Sequence, residues 1–148
     1  MKYYFIFLIA FLFFGCQQKT NQEKTDSENA QKGELVTEID KVFFKNISEG
    51  DTLESPFVVE MGVVGMQIKP AGELEAGTGH HHIIIDKQFI TFGEIIPMDA
   101  NHLHYGKGDT VVNVALESGQ HTLTLQFANG MHMSFGEQFS KSINIYVK

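Results

Sequence analysis

From about residue 55 to the C-terminus, short segments of alternating apolar and polar residues are separated by turns rich in glycine, asparagine and aspartate. The clearest segment is 121–127, HTLTLQF, in which the apolar residues repeat with a period of two, as the inward face of a strand requires. No segment keeps a helical repeat over a dozen residues. This pattern predicts an all-β fold, specifically an immunoglobulin-like antiparallel β-sandwich of about seven short strands.

Two turn sequences predict which strands are neighbours. The GKGD of 106–109 and the ESGQ of 117–120 are typical of tight turns. We therefore expect segment 101–105 to pair with 110–116, and 110–116 to pair with 121–127. In that arrangement the end of 121–127 lies beside the start of 110–116.

Histidine is concentrated at the predicted strand ends. His80-His81-His82 leads directly into three isoleucines, which are typical of a short buried strand. His102 and His104 are two residues apart and would share one face of their strand, with Cα atoms about 6.5 Å apart. Met131-His132-Met133 comes just after another predicted strand. The candidate metal ligands are His80, His81, His82, His102, His104, Met131, His132 and Met133.

The donor types favour a transition metal as cofactor. Imidazole suits zinc and copper, and thioether favours Cu(I). The single cysteine is Cys16, outside the predicted domain, so no thiolate contributes to a site there. A methionine-flanked histidine therefore favours copper over zinc. His121 begins its strand and would lie about 20 Å from the other histidines, so we expect it to be structural.

The N-terminus has the pattern of a bacterial lipoprotein signal. A positive charge at Lys2 precedes an apolar run over residues 3–14, and Gly15 precedes Cys16. The apolar run is shorter than the roughly 20 residues that a membrane-spanning helix needs. The residues that follow are polar and cannot bury enough surface to order themselves.

From this pattern we predict a signal peptide at 1–15, a lipidated Cys16 with a flexible tether at 16–33, and a single β-sandwich domain at 34–148. The prediction places the domain outside the cytoplasm, in the periplasm or at the cell surface. Its partner there is the membrane, through the N-terminal lipid.

The composition disfavours several function classes. The net charge is −7 and the pI about 5.4, which argues against nucleic acid as a partner. The sequence contains no paired-carboxylate motif, no Ser-His-Asp signature and no cysteine nucleophile in the predicted domain. These absences argue against an enzyme.

Three sequence blocks carry a resemblance to a known family. They are GTGHHHIIID at 77–86, NHLHYGKGDT at 101–110 and GQHTL at 119–123. They resemble the GTGHHHLLID, NHLHFGKGQT and GxHTL blocks of the bacterial domain of unknown function 4399 family, over roughly residues 55–147. The resemblance implies an exported all-β domain and the position of a histidine site, and it implies no reaction. Members are richer in histidine after the third block, where this chain has NGMHM at 129–133.

Four functions are compatible with these features. The leading hypothesis is a lipid-anchored extracytoplasmic protein that binds copper or zinc through histidine and methionine. The main alternative is a non-catalytic scaffold or adhesion β-sandwich whose histidines are structural. The other two are a metal-dependent enzyme with an open coordination position and a pH sensor built from clustered histidines.

Overall fold

The computed structural model describes residues 41–148. The described residues belong to one compact unit. The predicted signal peptide at 1–15, the lipidated Cys16 and the tether at 16–33 lie outside the described residues.

Nine strands and one short 3-10 turn, Glu137–Phe139, make up the regular structure of residues 41–148. The strands are β1 Val42–Phe44, β2 Thr52–Leu53, β3 Phe57–Val63, β4 Gln67–Ile68, β5 Thr78–Ile85, β6 His102–His104, β7 Val111–Val114, β8 Gly119–Ala128 and β9 Ser140–Val147. Over this described part, no helix is long and apolar enough to cross a membrane.

The strands form two sheets in a sandwich-like arrangement. One sheet has three strands in the order β1-β3-β7, and the other has the order β2-β9-β8-β5-β4, with β6 also paired to β5. Most pairs are antiparallel, and the two parallel pairs, β2 with β9 and β4 with β5, involve only two residues on each strand. The prediction of an all-β sandwich is therefore confirmed.

The core lies between the sheets and follows from the period of two. On β9, Ile143, Ile145 and Val147 are buried while the residues next to them are exposed, and on β8 both faces are buried from Leu123 to Ala128. Full burial of each such aliphatic or aromatic side chain contributes about 1.5–3 kcal/mol. The core residues from the larger sheet include Ile83, Ile85, Leu123, Leu125, Phe127, Ile143, Ile145 and Val147, and those from the smaller sheet include Val42, Phe57, Val59, Met61 and Val114.

Strand β5 is an interior strand of the larger sheet, and all eight of its residues are buried. It pairs with β8 along one edge and with β4 and β6 along the other. Its second face is covered by the segments 86–101 and 129–136, which are tied to the sheet through Gln126. The Gln126 side chain accepts a hydrogen bond from the Ile90 amide at 2.9 Å and donates to the Gly136 carbonyl at 3.1 Å. This covered second face holds the histidines described below.

The predicted pairing of 101–105 with 110–116, and of 110–116 with 121–127, is wrong. Strand β6 pairs with β5, whereas β7 pairs with β3 in the other sheet. The turn around Gly108, which has φ of 83°, carries the chain from one sheet across to the other. A turn sequence identifies where the chain reverses, and it does not identify which sheet receives the next strand.

Candidate metal centre

Four histidine rings meet on the covered face of β5. His80 and His82 project from this face and are fully buried. His104 lies directly opposite His82 in the β5–β6 pair. His132 lies in the turn after β8, whose last residue, Ala128, is opposite His80. Two neighbouring strands and one turn therefore bring together histidines that are up to 52 residues apart in the sequence (132 − 80 = 52).

The rings face one another closely enough to share an ion. The Nε2 atoms of His80 and His82 are 3.0 Å apart, and so are those of His104 and His132. One nitrogen from each of His80, His104 and His132 lies within 4.8 Å of the other two. Ligand nitrogens around a tetrahedral zinc ion are about 3.3 Å apart, so these three can converge on an ion after small movements.

Asn129 holds the turn that presents His132. Its side-chain oxygen accepts hydrogen bonds from the amides of Met131 at 2.9 Å and Met133 at 3.0 Å. Its carbonyl accepts a bond from the His132 amide at 3.0 Å, and the His132 carbonyl accepts one from Ile96 at 2.9 Å. His132 has φ of 65°, a left-handed conformation that few non-glycine residues adopt, so these bonds fix a conformation that the chain would otherwise avoid.

We predict that Asn129→Ala weakens metal binding by about 10–100-fold, the usual effect of removing a group that orients a ligand. The reason is that two of the bonds that define the turn are lost and His132 is no longer held in place. Isothermal titration with a metal ion measures the effect. Asn144→Ala is the matched control, because that side chain is hydrogen-bonded to Glu49 and Thr122 and lies outside the cluster. Equal affinity in the Asn129 variant and the wild type would contradict this role.

The surroundings of His80, His82 and His104 keep these three imidazoles neutral. Burial, together with the neighbouring His104 and His132, lowers the pKa of His80 to about 4. Burial, with the surrounding histidines, lowers the pKa of His82 to about 2. Burial and His132 also lower the pKa of His104. Neutral imidazole is the form that binds a metal, so these rings are ready to act as ligands at pH 7.

Within residues 41–148, no carboxylate is hydrogen-bonded to any of the four rings. The Nδ1 atoms of His80 and His82 are buried and have no hydrogen-bond partner. Buried polar nitrogens without partners are costly, about 1–3 kcal/mol each. The Nε2 atoms are paired, but in each pair one nitrogen donates the proton and only the other accepts with its lone pair. A cation bound between the rings would engage the lone pairs of both Nε2 atoms.

His81 lies on the opposite face of β5, as the alternation of strand residues requires. Its ring packs edge-on against Phe127 in the core, with ring centres 5.0 Å apart, and neither ring nitrogen has a partner. Burial lowers its pKa to about 4, with smaller effects from His80 and Lys45. His81 is therefore separated from the other rings by its own strand.

The remaining candidates lie around the cluster. His102 is directed to Asp99, with Nδ1 2.7 Å from the carboxylate oxygen, and this hydrogen bond lowers the pKa of Asp99. Met131 is 55% exposed. Met133 is half-buried and forms an isolated β-bridge with Ile95. The structure thus gathers His80, His82, His104 and His132, and it does not place the other four candidates among them.

His121 lies at the far end of β8, as predicted. Its Nδ1 is 2.9 Å from the Asp86 carboxylate and its Nε2 is 3.0 Å from the Glu117 carbonyl. Burial by itself would lower the pKa of His121, but these hydrogen bonds outweigh burial and raise it. Both nitrogens face acceptors, so the ring is best satisfied as an imidazolium, which is a poor metal ligand.

Sequence reasoning missed the contribution of Asn129. The Asn129-Gly130 sequence is typical of a turn, and asparagine in a turn commonly accepts a hydrogen bond from the amide two residues ahead. This tendency of asparagine to bond to the amides that follow it is the sequence signal that indicates a role for Asn129 in orienting His132. The partner of His102 was missed as well, although Asp99 precedes it by three residues.

Comparison with known proteins places the chain in a family. A family model described as "Domain of unknown function (DUF4399)" matches residues 59–148, from β3 to the C-terminus. The matched region includes all four clustered histidines and Asn129. No curated protein and no solved structure matches the chain. Because the matched region is more than half of the sequence, the chain belongs to the DUF4399 family.

Proposed function

We propose that this protein is a lipid-anchored, extracytoplasmic metal-binding protein in which His80, His104 and His132 hold one transition-metal ion. The observation that carries the proposal is the approach of three histidine nitrogens to within 4.8 Å of one another. A loose group of surface histidines would have its rings directed to water. Here the rings face one another at the covered face of β5, an interior strand of the larger sheet.

Copper and zinc are the ions that this donor set favours. Imidazole suits both, and the Irving–Williams order places Cu(II) above Zn(II) where the geometry permits. The exposure of Met131 means that the preference for copper rests on the imidazoles and not on a thioether. The location outside the cytoplasm rests on the lipoprotein pattern that ends at Cys16. Mass spectrometry of the membrane-extracted protein tests the lipid on Cys16.

A second candidate, a scaffold or adhesion domain with structural histidines, has one observation in its favour. The imidazoles of the cluster make two contacts of 3.0 Å with one another, which give their ring nitrogens hydrogen-bond partners within the protein. If the histidines only filled space, metal ions would not change the stability of the domain. The two functions therefore predict different effects of metal ions on the thermal stability of the domain.

The test is titration of the chelator-treated protein with Cu(II) and, separately, Zn(II), followed by calorimetry and thermal unfolding. We expect one ion per chain. At a free-metal concentration 100 times the Kd, the folded state gains about 2.7 kcal/mol, which corresponds to a rise in Tm on the order of 10 °C. A Tm that is unchanged by both metals, with no heat of binding, would leave the scaffold function in place.

A further inference from the structure

His82 is the fourth ring of the cluster and is fully buried. Its Nε2 lies 3.0 Å from that of His80, and its ring centre lies 5.1 Å from that of His104 and 5.9 Å from that of His132. The metal-binding function proposed above uses the other three rings. Whether His82 also binds the ion can be inferred from the hydrogen bond between its Nε2 and that of His80.

The Nε2 atom of His80 can serve only one partner at a time. When this nitrogen binds an ion it carries no proton and its lone pair is engaged, so it can neither donate to His82 nor accept from it. Since the Nδ1 of His82 has no partner either, both nitrogens of a fully buried ring would then be unpartnered. Such groups are costly in a protein interior. Directing the Nε2 of His82 to the same ion removes this cost at one of the two nitrogens.

The spacing of the rings agrees with four ligands around one ion. In a tetrahedral imidazole complex with metal–nitrogen distances of about 2.05 Å, the ring centres lie about 3.2 Å from the ion and about 5.2 Å from one another. The six distances between ring centres in the cluster range from 4.6 to 5.9 Å. All four rings are therefore already near the corners of a tetrahedron of the required size.

We propose that His82 is the fourth ligand and that the ion is enclosed by four imidazoles with no open position. This inference rests on the proposed metal-binding function and specifies its type. Structural zinc sites are closed in this way, whereas catalytic sites keep one position for water or substrate. A closed site has no coordination position at which to activate water, so the inference favours a metal-binding role without hydrolase activity. Tetrahedral closure also suits zinc better than Cu(II), which prefers tetragonal geometry, and so reduces the advantage of copper.

The test uses Co(II) as a coloured substitute for the bound ion, with azide as a probe for an open position. In the wild-type protein, we expect an intense visible spectrum typical of a tetrahedral complex and no change when azide is added. In His82→Ala, we expect Co(II) affinity to fall about 10–100-fold or more. Azide should now alter the spectrum, because the substitution opens a position. His81→Ala is the matched control, since that ring lies on the other face of β5 and should leave the Co(II) spectrum unchanged.

The possible outcomes separate the two proposals. If the wild type binds no Co(II), Cu(II) or Zn(II), the metal-binding function itself fails. If the wild type binds Co(II) but azide changes its spectrum, or if His82→Ala keeps the wild-type spectrum and affinity, the closed site is overturned while the metal-binding function stands. Should His82→Ala fail to fold, X-ray absorption of the wild-type zinc complex decides the question. Four imidazoles support the closed site, and three with an oxygen ligand overturn it.

Discussion

Replacing His104 or His132 with alanine is expected to weaken metal binding by about 100-fold or more, equivalent to about 2.7 kcal/mol. Each substitution removes one of the nitrogens that converge on the ion, and the remaining ligands leave the coordination sphere incomplete. These two positions are preferable to His80, because both are only half-buried and their truncation leaves no sealed cavity. Calorimetric titration of each variant with Zn(II) and Cu(II) measures the effect.

His121→Ala serves as the control for this experiment. His121 is also half-buried and bonded on both ring nitrogens, but its partners are Asp86 and the Glu117 carbonyl at the far end of β8. We expect it to lose stability and keep its metal affinity. If His104→Ala and His132→Ala also kept the wild-type affinity, the ion would have to be bound elsewhere and the assignment of these ligands would be wrong.

Lowering the pH from 7.5 to about 4.5 is expected to destabilise the metal-free domain by several kcal/mol. In the folded state, the pKa values of His80 and His81 are about 4 and that of His82 is about 2, below their ordinary value of 6.5. The unfolded chain therefore takes up protons below pH 6.5 that the folded domain does not. Stability from these groups is present above pH 6.5 and is lost as the pH falls towards 4, at about 1.4 kcal/mol per pKa unit for an isolated group.

Denaturant unfolding in the presence of a chelator, at half-unit steps of pH, measures this dependence. His121 acts in the opposite direction, because its raised pKa contributes stability at low pH that is lost as the pH rises through that value. The carboxyl groups with lowered pKa, Glu49 and Asp99, lose their contributions only below their ordinary values of 4.5 and 3.8. The window from pH 6.5 to 4.5 is therefore specific to the buried histidines.

His81→Leu separates the contribution of the core histidine from that of the cluster. The substitution removes a titrating ring with two unpartnered nitrogens and keeps an apolar side chain against Phe127. We expect a smaller loss of stability between pH 6.5 and 4.5 than in the wild type. A wild-type free energy of unfolding that is constant across this window would contradict the lowered pKa values.

The strands of this protein could be predicted from sequence to a useful degree, and their pairing could not. Segment 121–127 lies within β8, and the three isoleucines after the histidine run lie in β5, as predicted. The partners of β6 and β7 were predicted wrongly, because pairing is decided by which sheet can bury the next apolar face. In β7, Val112 and Val114 pack against the core from the smaller sheet. Nothing in the turn around Gly108 indicates that crossing.

The sequence predicted a histidine site, but the strand pairing that was expected to bring the histidines together differs from the pairing in the structure. The sequence placed His104 and His132 near each other through hairpins that do not form. They meet because β5 stands between β6 and β8, so that both neighbours deliver histidines to its covered face. Which of the three consecutive histidines faces the site could not be decided, because a strand buried on both faces gives no contrast between its sides.

The placement of the methionines depended on a conformation that local sequence does not encode. Met131 and Met133 would share a face if this segment were a strand. The left-handed conformation of His132, held by the bonds of Asn129, interrupts the alternation. Met131 is consequently directed to solvent and His132 towards the other rings. A side-chain-supported turn of this kind is recognised from its hydrogen bonds and not from its residue types.

The most direct test of the metal centre is an anomalous-difference map from crystals of the zinc- or copper-loaded protein, measured on both sides of the absorption edge of the metal. A single strong peak about 2.0–2.1 Å from the Nε2 atoms of His80, His104 and His132 is the predicted result. A loaded crystal with anomalous peaks only at other positions, such as His121 or the exposed Met131, would contradict it.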